Sequence, residues 1–232
     1  MSDDQHLDPY LDVVNRLGTI ARATTQDQLD TAVPACPGWT ARQTIAHLSG
    51  LAEDWVAGNL DDYGSDTWAG AQVSRFDGSP IDDVLDAWQR AAERFASLGP
   101  SPIGGTAAMW AFGDAVVHEA DIRAVLAPGT RPPDDAVALG LKAGVARWRH
   151  HLASAGVAPI DLVASDLRTW RIGDPDATAE QVETTAYEVF RALYGRRSRR
   201  QTERWQWSCD PAPYLDPGLP FPFRWADTDL DD

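Results

Sequence analysis

The sequence predicts a mainly helical α+β chain: a helical bundle over residues 1–155 and a small mixed α/β portion over residues 156–232. Two observations point there. Five long segments before Gly156 space their apolar residues at helical intervals, with breaker clusters between them. After Gly156 the pattern changes to short alternating runs between turns. The composition agrees, since 44% hydrophobic and 24% charged residues over 232 positions suffice for a buried core and exclude wholesale disorder.

The first helix is expected from about Leu7 to Ala23, where Leu11, Val14, Leu17 and Ala21 form one stripe. The cluster Pro34–Ala35–Cys36–Pro37–Gly38 interrupts the chain, and a second helix follows over Ala41–Asn59 with Thr40 as its N-cap. Residues 60–79 carry Gly64, Gly70 and Gly78 among Asp and Ser, and read as a long loop. Ser79–Pro80 opens a third helix to about Leu98, proline being tolerated in a first turn. Gly99–Pro100 and Gly104–Gly105 close that segment. A fourth helix is expected over Ala108–Leu126 and a fifth over Asp134–Ala155. Beyond Gly156, Thr169–Ile172 alternates as a strand, Thr178–Arg200 reads as a helix, and Trp205–Trp207 alternates again. A proline-punctuated tail follows, whose last residues, Asp227–Asp232, are expected to fray.

Charge narrows the partners. A net charge of −15 repels phosphate backbones and anionic lipid, which argues against a nucleic-acid or membrane-surface role. One segment runs the other way: residues 191–204 hold six Arg and one Glu, a local +5 that leaves −20 on the rest. The two cysteines, Cys36 and Cys209, are too few and too far apart for a disulfide scaffold. The acidic N-terminus does not resemble a signal peptide, and no apolar run reaches the roughly 18–20 residues that span a membrane. A cytoplasmic protein with free thiols is expected.

The fourth expected helix holds the chemistry. At roughly 100° per residue, Asp114, His118 and Asp121 fall within a sector of about 60° on a helix otherwise apolar nearly all round. Glu119 and Arg123 fall on the opposite side, where an i,i+4 ion pair facing water is expected. Burying two carboxylates and an imidazole costs too much without compensation. A divalent metal offers it, since Asp114 and His118 project side by side; a closed hydrogen-bond network is the other solution. A metal needs a third ligand, and His47 is the candidate, at the edge of the second helix's apolar stripe. His6 lies in the polar N-terminus, and His150 and His151 end an Arg-containing helix. Cys36 reads as a packed loop cysteine, with a reactive thiol as the alternative.

The stretch from Val33 through Pro37–Gly38–Trp39 to His47, together with Asp114-x-x-x-His118-Glu-Ala-Asp121-Ile-Arg123, resembles the mycothiol-dependent maleylpyruvate isomerase family of the DinB-like superfamily. The run Thr185–Ser198, with its Gly195–Arg196 pair, is similar to that family's C-terminal portion. The resemblance implies a DinB-like four-helix bundle holding one divalent metal, usually zinc, on His47, Asp114 and His118. Characterised members have Glu where this chain has Asp114, one methylene shorter but still a metal ligand. Asp121 would orient a ligand imidazole or bond a buried N–H group. Mycothiol, the low-molecular-weight thiol of actinobacteria, would bind the metal through sulfur and attack a small electrophile, by isomerisation or S-transfer. Arg196 would hold a substrate carboxylate, and the other Arg of the cluster would pair with the acidic surface. The alternative is a metal- or ligand-binding protein of the same fold without turnover.

Overall fold

The computed structural model describes residues 8–97 and 105–232. His6 and the break at Gly99–Pro100 and Gly104 lie outside them. The chain forms two compact units, which divide between Pro132 and Pro133.

The first unit contains α1 (Asp8–Arg22), α2 (Gln26–Leu29), α3 (Ala41–Ala57), α4 (Asp66–Ser74), α5 (Ile81–Ser97) and α6 (Gly105–Leu126). Helices α1 and α3 each pack against both α5 and α6, which makes these four a bundle. Its core interleaves Val13 and Leu17, Ile45 and Leu48, Leu85 and Trp88, and Val116 and Ile122. The Trp88 Nε1–H donates to the hydroxyl of buried Tyr10 at 3.0 Å, so the largest core side chain keeps its polar atom satisfied. Helix α6 is buried on nearly every side between Ala111 and Ile122, as its all-round apolar sequence predicts.

Residues 66–74 form a helix where the sequence reads as loop. The Ser65 hydroxyl caps it by accepting from the Trp68 N–H at 3.1 Å, and Trp68, Gln72 and Val73 are buried. Gln72 is buried because its amide donates to Asp54 Oδ2 at 2.8 Å, and Arg75 and Asn59 complete the Asp54 shell at 2.7 and 3.0 Å. A buried polar residue is invisible to a count of apolar periodicity. Similarly, Glu119 does not face water: it is wholly buried and takes Arg16 of α1 in a fork, at 2.8 and 2.6 Å, besides Arg123 at 2.9 Å.

The second unit contains α7 (Asp134–Ser154), β1 (Ile160–Ala164), β2 (Arg168–Ile172), β3 (Glu180–Thr184), α8 (Ala186–Leu193), α9 (Arg199–Glu203), β4 (Gln206–Trp207) and α10 (Ala212–Leu215). The sheet order is β2-β1-β3-β4, with β1 and β3 parallel and the outer pairs antiparallel. Helix α7, which the sequence groups with the preceding helices, packs on α8. The two approach closely because residue 140 is glycine: a Cβ there would stand 2.8 Å from a ring carbon of Phe190. Tyr194 Oη donates to the Gly140 carbonyl at 3.0 Å across the same contact.

The helix expected over Thr178–Arg200 is instead β3, a capped α8 and, after a turn, α9. Glu180–Thr184 has Val182 as its single buried residue, yet it pairs with β1 along its whole length. That long-range ladder overrides the helical preference of Glu and Gln. Thr185 then starts α8, its hydroxyl accepting from the Glu188 N–H at 3.3 Å.

Four arginines of the Arg-rich segment pair with carboxylates of their own unit. Arg197 is buried and forks onto Glu188 at 2.8 and 2.7 Å, so it is no solvated helix end. Arg199 pairs with Glu203 and Asp216, and Arg200 and Arg204 share Asp229 at 2.9 and 3.0 Å. The expected fraying fails here. Ala226 N–H donates to the Arg197 carbonyl at 3.0 Å, and Arg200, with Ser198, holds the Asp229 carboxyl well below the usual carboxylate range. Neither cysteine is in a disulfide, and among the described residues no helix is long and apolar enough to cross a membrane.

Candidate metal centre

The site begins with a rigid loop and a well-defined helix start. Between α2 and α3 the chain folds back on itself: Val33 N–H donates to Trp39 O at 2.9 Å, Cys36 N–H to Val33 O at 2.9 Å, and Trp39 N–H to Cys36 O at 3.0 Å. Gly38, at φ +87°, supplies the left-handed residue this turn requires. Thr40 then caps α3 as the sequence predicts, in a reciprocal box: its hydroxyl accepts from Gln43 N–H at 3.3 Å, and Gln43 Oε1 accepts from Thr40 N–H at 2.9 Å. The helix so anchored carries His47 two turns in, its ring buried and 5.0 Å from the Trp39 ring centre.

Helix α6 supplies the other groups at the spacing read from the sequence. His47 Nε2 lies 3.7 Å from Asp114 Oδ2, and His118 Nε2 lies 3.8 Å from Asp114 Oδ1. The two imidazole centres are 5.2 Å apart with their planes at 73°. Ligand atoms of all three residues fall within 4.8 Å of one another. On the far edge of the His118 ring, Nδ1 lies 3.1 Å from Asp121 Oδ2, and Asp121 is 1% exposed. His47 has no such support, for its buried Nδ1 has no hydrogen-bond partner, and the Trp39 ring packs beside it at a tilt of 42° instead.

The donor set fits a divalent metal. Separations of 3.7 and 3.8 Å are too long for hydrogen bonds, so these contacts do not close into a hydrogen-bonded network. They are close to the edges of a tetrahedron with bonds of ~2.1 Å, whose corners are roughly 3.4 Å apart. Two imidazoles and a carboxylate are the ligand types that such an ion prefers, and three protein ligands leave a fourth position open. The Asp114 side chain is 23% exposed while the two histidines are under 10%, so the cluster opens to solvent on the Asp114 side.

Cys36 belongs to this neighbourhood. It is buried as expected of a packed loop cysteine, but its Sγ lies 3.4 Å from Asp121 Oδ2 and 3.5 Å from His118 Nδ1. The contact spans more than 80 positions of sequence, and only its place in the loop before the His47 helix hinted at it. Arg196 lies in the second unit after left-handed Gly195; it is largely buried, and its Nη1 donates to the Tyr194 carbonyl at 2.7 Å.

The crystal structure of a mycothiol-dependent maleylpyruvate isomerase shares the fold, at 12% identity and a TM-score of 0.59 over 90% of this chain and 94% of that one. A histidine-to-alanine mutant of such an enzyme matches equally, at 12% identity, TM-score 0.60 and the same coverage. No curated protein sequence matches the chain. The family model described as the mycothiol maleylpyruvate isomerase N-terminal domain matches residues 10–123, a span that contains Cys36, His47, Asp114, His118 and Asp121. Over its helical bundle, the chain is similar to the mycothiol maleylpyruvate isomerase N-terminal domain family.

Proposed function

We propose that this protein is a zinc-dependent enzyme that uses mycothiol as a nucleophile on a small, carboxylate-bearing electrophile, as an isomerase or an S-transferase. The observation that carries the reading is the convergence of His47, Asp114 and His118 at separations wider than hydrogen bonds, in a cluster open on one side. A divalent ion bound there would hold the thiol sulfur as a thiolate, a far stronger nucleophile than the thiol.

The protein's own residues do the rest. His47, Asp114 and His118 hold the ion. Asp121 holds the His118 Nδ1 proton, which leaves Nε2 as the ligating nitrogen. The low exposure of both imidazoles keeps water from competing for them. Arg196 is the proposed counter-charge for a substrate carboxylate, on the resemblance of its Gly195–Arg196 pair. The similarity of residues 10–123 to the mycothiol maleylpyruvate isomerase N-terminal domain supports the thiol, and Asp114 in place of Glu leaves the electrophile a matter for assay.

Calorimetry with mycothiol tests the reading. The zinc-loaded protein is expected to bind the thiol, and the His47→Ala and His118→Ala variants are expected to lose both stoichiometric zinc and thiol binding. Equal thiol affinity in the variants would refute the thiolate mechanism. Thiol binding without turnover of any maleyl-type or other electrophilic acid would leave a binding protein of the same fold.

A further inference from the structure

We propose that Cys36 is a positioning residue of the metal centre: its thiol proton anchors Asp121, and through Asp121 it fixes the ring orientation of His118. The proposal rests on the reading of His47, Asp114 and His118 as metal ligands.

Asp121 Oδ2 faces two donors at once, the Cys36 thiol at 3.4 Å and His118 Nδ1 at 3.1 Å. All three side chains are more than nine-tenths buried, so water does not compete for that oxygen. A buried carboxylate must have its lone pairs filled, and a second donor on the same oxygen stops Asp121 from swinging away from the imidazole. No proton moves in this arrangement; the thiol stays a thiol and acts as a weak donor.

The backbone around Cys36 makes that donor rigid. Its N–H and C=O are both used within the loop, and the side chain sits in an apolar cluster with Val33, Ala41, Val125 and Leu126. The same loop places Trp39 against the ring of His47. One short segment therefore contacts both histidine ligands, by a tilted ring contact on one and by a hydrogen-bond chain on the other. Supporting partners of this kind contribute measurably to metal affinity.

The test is the Zn2+ dissociation constant of the full chain, measured by competition with a chromophoric chelator, for Cys36→Val, Cys36→Ser, Asp121→Asn and the Cys36→Val/Asp121→Asn double variant. Cys36→Val removes the donor at similar volume and is expected to weaken zinc binding roughly tenfold, at an unchanged one ion per chain. Cys36→Ser keeps a donor and is expected to stay within about twofold of the parent. The double variant is expected to bind no more weakly than Asp121→Asn alone, since both changes break one chain of contacts. Cys36→Ala replaces Cys36→Val if valine disturbs the loop.

Unchanged affinity in Cys36→Val, an equal loss in Cys36→Ser, or additive losses in the double variant would each overturn the proposal. So would two ions per chain falling to one without the thiol, which would make Cys36, His118 and Asp121 a second cation seat. Failure of the unsubstituted protein to bind zinc at all would instead overturn the underlying metal reading.

Discussion

The Nδ1 nitrogen of His118 lies 3.1 Å from Oδ2 of Asp121, three residues further along α6, and both side chains are buried. Helix geometry makes this contact local, because residues three apart stack on one face. It also settles which edge of the imidazole is available: with Nδ1 turned to Asp121, Nε2 points at Asp114 and toward His47. The second carboxylate of the polar sector thus has a partner that does not compete with the first.

Asp121→Asn keeps the shape and removes the charge. Zinc affinity is expected to fall about tenfold, and about a hundredfold for Asp121→Ala, with the stoichiometry intact. Chelator competition measures the loss, and far-UV circular dichroism shows whether the fold is kept. An affinity equal to the parent's would remove Asp121 from the centre.

Glu119 binds two arginines from a fully buried position, Arg16 in a fork and Arg123 one turn along its own helix. Glu119→Ala is expected to cost about 3 kcal/mol of folding stability, because both guanidinium groups then lose their carboxylate inside the bundle. Arg123→Ala is expected to cost clearly less, since the Arg16 fork remains. Urea denaturation distinguishes the two, and a change below about 1 kcal/mol for Glu119→Ala would class the pair with surface ion pairs.

Burial pushes the Tyr10 phenol far above its usual range; the hydrogen bond from Trp88 acts the other way, and the negative charge of Asp114 adds to the rise. An unfolded tyrosine ionises near pH 10, so above that pH the native state holds a proton that the unfolded chain has lost. This contribution to stability is complete below about pH 10 and is lost as pH rises, by up to about 1.4 kcal/mol per pH unit. Tyr10→Phe is expected to remove that slope while costing about 1–2 kcal/mol at neutral pH, where Trp88 Nε1 loses its acceptor. Denaturant midpoints taken from about pH 9 to pH 11 compare the two proteins. Parallel slopes would refute the assignment.

The helices were legible where apolar periodicity marks them. Leu11, Val14, Leu17 and Ala21 lie on α1, and Thr40 starts α3 at the residue the capping pattern indicates. What escaped the sequence has a common cause. Gln72 and Glu119 are buried by partners on other elements, Asp54 and Arg16, and polarity alone reads as solvent exposure. Val182 sits in a strand because β1 pairs beside it, and no local preference announces a parallel neighbour.

The candidate metal centre divides along the same line. The sequence by itself determined that Asp114, His118 and Asp121 share one face, because three- and four-residue spacings fix angles on a helix whatever surrounds it. It also supplied His47 as the candidate third ligand, with the Pro-Gly-Trp loop before it as part of a family resemblance. Only the tertiary structure decided that His47 meets Asp114 at 3.7 Å, that Cys36 reaches Asp121, and that Glu119 turns inward to α1. Those contacts join residues tens of positions apart, and their distances follow from helix packing rather than from any spacing along the chain.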